Sequence, residues 1–462
     1  MKTEKQFKQF VERHPHPHQL GATRPFFTRR GFFQLAGAGV TGSVLLDRPA
    51  FGQDIVRHGG TPINKAKNVI FMLLTGAPSH TDLFDFKQSE DTPMNVLKPD
   101  TIKGIVWPAG ILPKLGNQIG DLVIARSVLS WALQHNLAQS WAQIGRSPAA
   151  ALGDIAPNMG AIIAAEKEIE RLPGQVFPTF LALNSGAAVG SGYLPAVYSP
   201  LRITPAVGGL PDTTNTDGQA RFTSKYDLMQ KLDQPLRDAA ANPYGPEMAG
   251  YQGFYDSGKA MMFNPEVEKA FRYTNAEALR YGASGFGNAC LNAAKVLAAR
   301  GGTRYIQITF GSWDHHTNIY TALPPMAKQL DDGVSALIED LKASGTFDET
   351  LIVIMGEFGR TTGPLTATDG RDHHLQQFAV FAGAGIKGGR TIGSTDAAGA
   401  FTKDFGWSRD RNLRFEDFEA TIYSAMNIDW TSVRYDDPFK RGFYYVPSSD
   451  SDLYAPLNEL WS

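Results

Sequence analysis

The stretch from Arg304 to His374 sets the tightest limit on what this chain can fold into. Arg304–Phe310 is apolar and β-branched, with glycines Gly301 and Gly302 behind it and Gly311 ahead. Trp313, Asp314, His315 and His316 follow at once. A helix is expected from Pro325 to Ala343, because Ala327, Leu330, Val334, Leu337, Ile338 and Leu341 recur on one face. Gly345 supplies its stop. Leu351–Met355 is wholly apolar, as a strand covered on both faces should be. Gly356, Glu357, Phe358, Gly359 and Arg360 come next, and Gly370, Arg371, Asp372, His373 and His374 precede another apolar run, Phe378–Phe381.

A strand, an amphipathic helix and a strand make a right-handed crossover between parallel strands. Both polar tips then lie at the carboxyl edge of one sheet, where open α/β sheets bind ligands. His373 and His374 stand before a strand, so they reach that edge if their strand runs antiparallel or their loop folds back. Asp314, His315, His316, Glu357, Asp372, His373 and His374 can therefore converge. Carboxylate and imidazole together suit zinc, manganese or iron.

Charge and cysteine content narrow the function class. Lys and Arg number 44 against 46 Asp and Glu, which gives no basic surface for a nucleic acid. The single cysteine, Cys290, excludes an intramolecular disulfide framework and reads as a small apolar residue on a helix. The length of 462 residues allows one extended α/β domain or two smaller ones.

Residues 1–52 read as an address. Arg29 and Arg30 form a twin-arginine pattern ahead of the apolar run Phe32–Leu46, which is too short to span a bilayer comfortably. Export in the folded state to the periplasm or beyond is expected, and nothing later in the chain reads as a transmembrane segment. The folded domain, residues 53–462, opens with the buried-strand run Asn68–Leu74, whose tip carries Ser79, His80, Asp82 and Asp85. These are either helix-capping groups or ligands. Leu122–Ala125 is a further strand, and His135 lies near the start of a helix that runs through Trp141. Val176–Leu183 reads as a strand, and residues 184–280 as a loop-rich insertion that covers the sheet edge and shapes a pocket. Helices are expected over Gly287–Arg300 and Arg414–Met426.

These pieces together resemble the domain of unknown function 1501 family, exported bacterial proteins placed near the sulfatases in the alkaline phosphatase-like superfamily. The resemblance rests on the twin-arginine start, Gly76–Asp82 with Phe84 and Asp85, Phe286–Leu291, Thr309–His316, Met355–Thr361 and Gly370–His374. It implies a mainly parallel central sheet flanked by helices, with a metal site at the carboxyl edge. By likeness to active superfamily members, Asp314, His316 and Glu357 would bind metal, completed by His373 or His374. The ion would be zinc, manganese, iron or calcium, one or two in number. Two departures stand out. Thr75 is found where the first strand usually ends in a ligand Asp, and His135 takes the place of the Ser, Thr or Cys nucleophile.

The expected function is an exported metal-dependent hydrolase of sulfate or phosphate esters, acting on a small-molecule or saccharide ester. It would use a metal-activated water or an atypical nucleophile, His135. Arg126, Arg360 or Arg371 would neutralise developing negative charge. The alternative is a binding or structural protein on the same fold that has lost the chemistry. Adjacent residues of an extended segment point to opposite sides, so only one residue of each histidine pair should face the site. Asp372 can serve behind a histidine instead of on the metal.

Overall fold

The computed structural model describes residues 55–238, 252 and 255–462. The arginine pair and apolar run of the expected signal lie outside these residues.

The central sheet has eight strands: β1 (Asn68–Leu74), β2 (Leu122–Leu129), β3 (Phe180–Leu183), β4 (Leu201–Ile203), β5 (Tyr305–Phe310), β6 (Thr350–Gly356), β7 (Gln376–Gly383) and β8 (Arg390–Ile392). Their order across the sheet is β8-β2-β7-β6-β1-β5-β3-β4. β1 pairs in parallel with both β5 and β6, so the expected crossover between the last two is present, with β1 between them. Only β7 runs against the others, antiparallel to β2 on one side and β6 on the other. The sheet is thus mainly parallel, and the reversed strand is the one that follows His373 and His374. Its amino end meets the carboxyl ends of β1, β2, β5 and β6 on one edge.

Side chains alternate across this sheet. Ile70, Met72 and Leu74 of β1 enter one core, and Val69, Phe71 and Leu73 enter the other. The first core is closed by α5 (Gly285–Ala298) and α6 (Ile319–Ala343), the second by α2 (Met159–Lys167) and α7 (Phe415–Ala425). The remaining helices used below are α1 (His135–Ile144), α3 (Gly218–Asp238) and α4 (Pro265–Phe271). Residues 184–280 supply the edge strand β4 together with α3 and α4; Met261, Val267 and Phe271 join the core beside α5. No helix among the described residues is long and apolar enough to cross a membrane.

β2 runs on to Leu129 past the expected Ala125, and two further boundaries move at prolines. α6 begins at Ile319, upstream of Pro324 and Pro325, which a propensity argument places at the start. Ile319 and Leu323 are fully buried, and their packing holds the extra turns despite the missing N–H groups. The strand expected from Val176 begins only at Phe180, because Pro178 has no N–H for a ladder. Cys290 is buried on α5, as read, and burial pushes its thiol up.

Glu419 on α7 gives the fold a pH dependence. Burial pushes its carboxyl up to about 8, against the pull of nearby Arg146. One oxygen accepts the Tyr423 hydroxyl at 2.9 Å and the other has no partner. An unfolded glutamate titrates near pH ~4.3. The proton is held more tightly in the folded state, so the stability it contributes is lost as pH rises through about 8. Denaturant unfolding at pH 6 and pH 9 should show this loss in the native sequence, and Glu419→Gln should flatten it.

Candidate metal centre

Four strand ends and one hairpin build the site. The tip after β1 turns at Gly76, whose φ is +102°; a Cβ there would stand 2.6 Å from the Asp314 amide nitrogen. Only glycine lets this tip lie directly on the tip after β5. The segment after β6 forms a short antiparallel pair in which Gly359 faces His374 and Arg360 faces His373. Alternation along that pair decides between the two histidines. His373 turns toward the other tips, while His374 turns away and stacks on His80 with ring centroids 6.2 Å apart. After β2 the chain reaches α1, whose first residue is His135; Gln134 caps the helix by accepting the Leu137 N–H at 2.7 Å.

His135, Asp314, His316 and His373 converge, each offering one atom, all within 4.8 Å of one another. The Nε2 atoms of His135 and His373 are 3.1 Å apart, and those of His316 and His373 are 3.0 Å apart. Asp314 Oδ1 lies 3.0 Å from His316 Nε2, 3.5 Å from His135 Nε2 and 3.9 Å from His373 Nε2. Ligand atoms of a tetrahedral zinc site with bonds of ~2.0–2.1 Å lie about 3.3 Å apart, so these spacings fit one ion.

The far side of each ring fixes its tautomer. His135 Nδ1 is 2.7 Å from Glu357 Oε1, His316 Nδ1 is 3.0 Å from Asp372 Oδ1, and His373 Nδ1 is 2.6 Å from the Leu133 carbonyl. Carboxylate and carbonyl oxygens can only accept, so each Nδ1 carries the hydrogen. With that hydrogen on Nδ1, each ring in its ligand form directs an Nε2 lone pair at the common centre. Lone pairs facing one another at about 3 Å are repulsive unless a cation lies between them. This is the arrangement of histidine metal ligands supported by second hydrogen bonds.

Charge follows the same pattern. The hydrogen bond that His135 donates to Glu357 raises its imidazole above its usual value, against the effect of burial. Burial and the neighbouring positive groups lower His373. Burial would raise Asp314, but the Arg360 guanidinium, 2.5 Å away, holds its carboxyl below the ordinary range. Phe358 backs the cluster, with its ring 4.8 Å from His135 and 4.6 Å from His373.

The other expected site residues take different places. Glu357 is fully buried, and its Oε1 is filled by the Gly76 N–H at 2.8 Å, Gln139 Nε2 at 3.0 Å and His135. It stands behind His135 instead of joining the ligand atoms. His374, expected as a possible ligand, accepts the Gln376 N–H through Nδ1 at 3.1 Å on the far face of the hairpin. His135, expected as a nucleophile, contributes one of the four converging atoms. Arg371 is buried on Asp82, 2.7 Å away, with further bonds to the Thr361 and Gly363 carbonyls. Arg126 is turned to Asp85 and the Phe84 carbonyl. His315 packs against Trp313 and is buried, leaving His316 to face the cluster.

Sequence reasoning passed over Gln139 and the Leu133 carbonyl. Gln139 is signalled by its spacing of one helical turn from His135. No residue type marks a backbone carbonyl, so Leu133 carried no signal.

A model for the family described as protein of unknown function DUF1501 matches residues 66–440. This chain belongs to that family. No curated protein matches its sequence. Solved structures similar to this DUF1501 chain include the phosphonate monoester hydrolase SpPMH from Silicibacter pomeroyi, 12% identical, covering 86% of this chain and 76% of that one with a TM-score of 0.41. A protein in the alkaline phosphatase superfamily from Vibrio parahaemolyticus is 11% identical over 87% of this chain and 76% of its own, with a TM-score of 0.36. Ps i-CgsB in complex with k-i-k-neocarrahexaose is 12% identical over 85% and 77%, with a TM-score of 0.40.

The two members of the 373–374 pair separate in a simple test. His373→Ala should weaken zinc binding at least a hundredfold in calorimetric titration of the metal-free chain. His374→Ala should leave it within a factor of about three, because its ring lies on the other face.

Proposed function

We propose that this chain is an exported, metal-dependent hydrolase of sulfate or phosphate esters, with a small-molecule or saccharide ester as substrate. The observation that carries the reading is the inward convergence of the His135, His316 and His373 Nε2 atoms with Asp314 at the carboxyl edge of the sheet. Zinc, manganese, iron or calcium would be the ion, and the nitrogen-rich donor set favours zinc and iron. Bound there, such an ion would polarise the ester and acidify water.

The chain's own residues prepare this chemistry. Glu357 fixes the His135 ring through Nδ1, and Asp372 does the same for His316. Arg360 steadies Asp314. His135 is committed through both ring nitrogens, which favours water over histidine as the attacking group. Asp314 is 47% and His316 42% exposed, so one side of the cluster is open to an incoming ester. Residues 184–280 would shape the approach, and the twin-arginine segment would deliver the folded chain to the periplasm or the medium.

A second reading is favoured by one observation. Four protein ligands can close a tetrahedral shell, as in structural zinc sites. The chain would then be a metal-stabilised binding protein.

The test is hydrolysis of aryl sulfates, aryl phosphates and their diesters by the exported, metal-loaded protein. Turnover of one class is expected, abolished by chelation and restored by adding the ion back, with His316→Ala at least a thousandfold slower. A chain that holds its ion tightly and hydrolyses none of these esters would leave the structural reading in place.

A further inference from the structure

Arg360 is fully buried between the cluster and the tips that form it. Its Nε donates to the Ala77 carbonyl at 2.8 Å, and one Nη1–H to the Arg371 carbonyl at 3.1 Å. The other Nη1–H meets His316 Nε2 at 3.3 Å. Nη2 donates to Asp314 Oδ1 at 2.5 Å and to the Gly76 carbonyl. A guanidinium has five N–H groups, and four of them here have protein acceptors that an ion in the cluster would leave in place. Those four hold the group in place, and the fifth points at His316 on the side of the cluster. The arrangement is that of a fixed internal cation, surrounded by three carbonyls, a carboxylate and an imidazole.

The surrounding carboxylates give this cation its significance. Asp314 and His316 are shared between Arg360 and the converging cluster. Asp372 and Glu357 lie behind two of the histidines. Asp82 and Asp85, the buried carboxylates of the tip after β1, are neutralised by Arg371 and by Arg126 with Lys87. Three carboxylates then stand about the cluster, the buried Glu357 and the more exposed Asp314 and Asp372, and Arg360 with one divalent ion matches their summed charge. The four converging atoms supply donors for one ion, and Asp314 already accepts a hydrogen bond from Arg360. Among the described residues only one group of side chains has metal-ligand geometry.

We propose that the site takes one divalent ion per chain, and that Arg360 is its permanent second cation. Arg360 is then a positioning residue: it holds Asp314 and the Gly76 tip in place for the ion. This rests on the metal-site reading above but not on any hydrolytic activity.

Stoichiometry is the decisive measurement. Metal-free, full-length protein titrated with zinc and followed by calorimetry and native mass spectrometry should saturate at one equivalent. Loaded with manganese, it should give the resonance of an isolated ion. Two equivalents of comparable affinity, or an exchange-coupled manganese pair, would overturn the proposal. Arg360→Met should still bind one ion but at least tenfold more weakly, with part of the loss recovered in Arg360→Lys. Unchanged affinity in Arg360→Met would remove the positioning role. If the Met variant does not fold, the wild-type stoichiometry still decides. An inactive chain with one ion would sink the ester hydrolase and leave this inference standing; an active chain with two would do the reverse.

Discussion

The site depends on a buried guanidinium. Arg360 comes from the segment after β6, yet its hydrogen bonds reach the tip after β1, the tip after β5 and the loop before β7. These segments are polar, and close packing among them leaves carbonyl oxygens turned inward. A buried carbonyl without a donor carries a desolvation cost of ~1–3 kcal/mol. One planar fork answers three of them and a carboxylate together. Lysine could not, since its ammonium has three donors and no fixed plane. The geometry of the histidines follows from that joint, because Arg360 and His373 face each other across the same short strand pair.

The fold was largely legible in the sequence, and for identifiable reasons. Asn68–Leu74 and the run around Leu351–Met355 are uninterrupted and apolar, and strands buried on both faces leave that trace. The reversal of β7 was left open because the loop from Thr361 to Asp372 carries no periodicity. Pairing with β2 and β6 settles it, and pairing is a property of distant residues. Boundaries moved where prolines competed with packing, at Pro178 and at Pro324.

The site was legible in composition and not in arrangement. Asp314, His316 and His373 were visible as residues at strand tips, and they do converge. Glu357 looked like a ligand because it follows a strand directly. The Gly76 N–H, Gln139 and His135 draw it one layer back, and none of those contacts is local in sequence. His373 and His374 could not be told apart until the register of their partner strand was known. His135 lacked the usual hydroxyl or thiol, and its nitrogen finds its role only once the chain has folded.

The four converging side chains come from residues 135, 314, 316 and 373. An ion among them is therefore a clasp between parts of the chain that are far apart along it. It would bind the native state and largely ignore the unfolded one, so its free energy of binding adds to that of folding. At a thousand times the dissociation constant this adds about 4 kcal/mol, a large share of a domain's usual margin. The persistence of the fold would then track the supply of metal in whichever compartment the chain occupies.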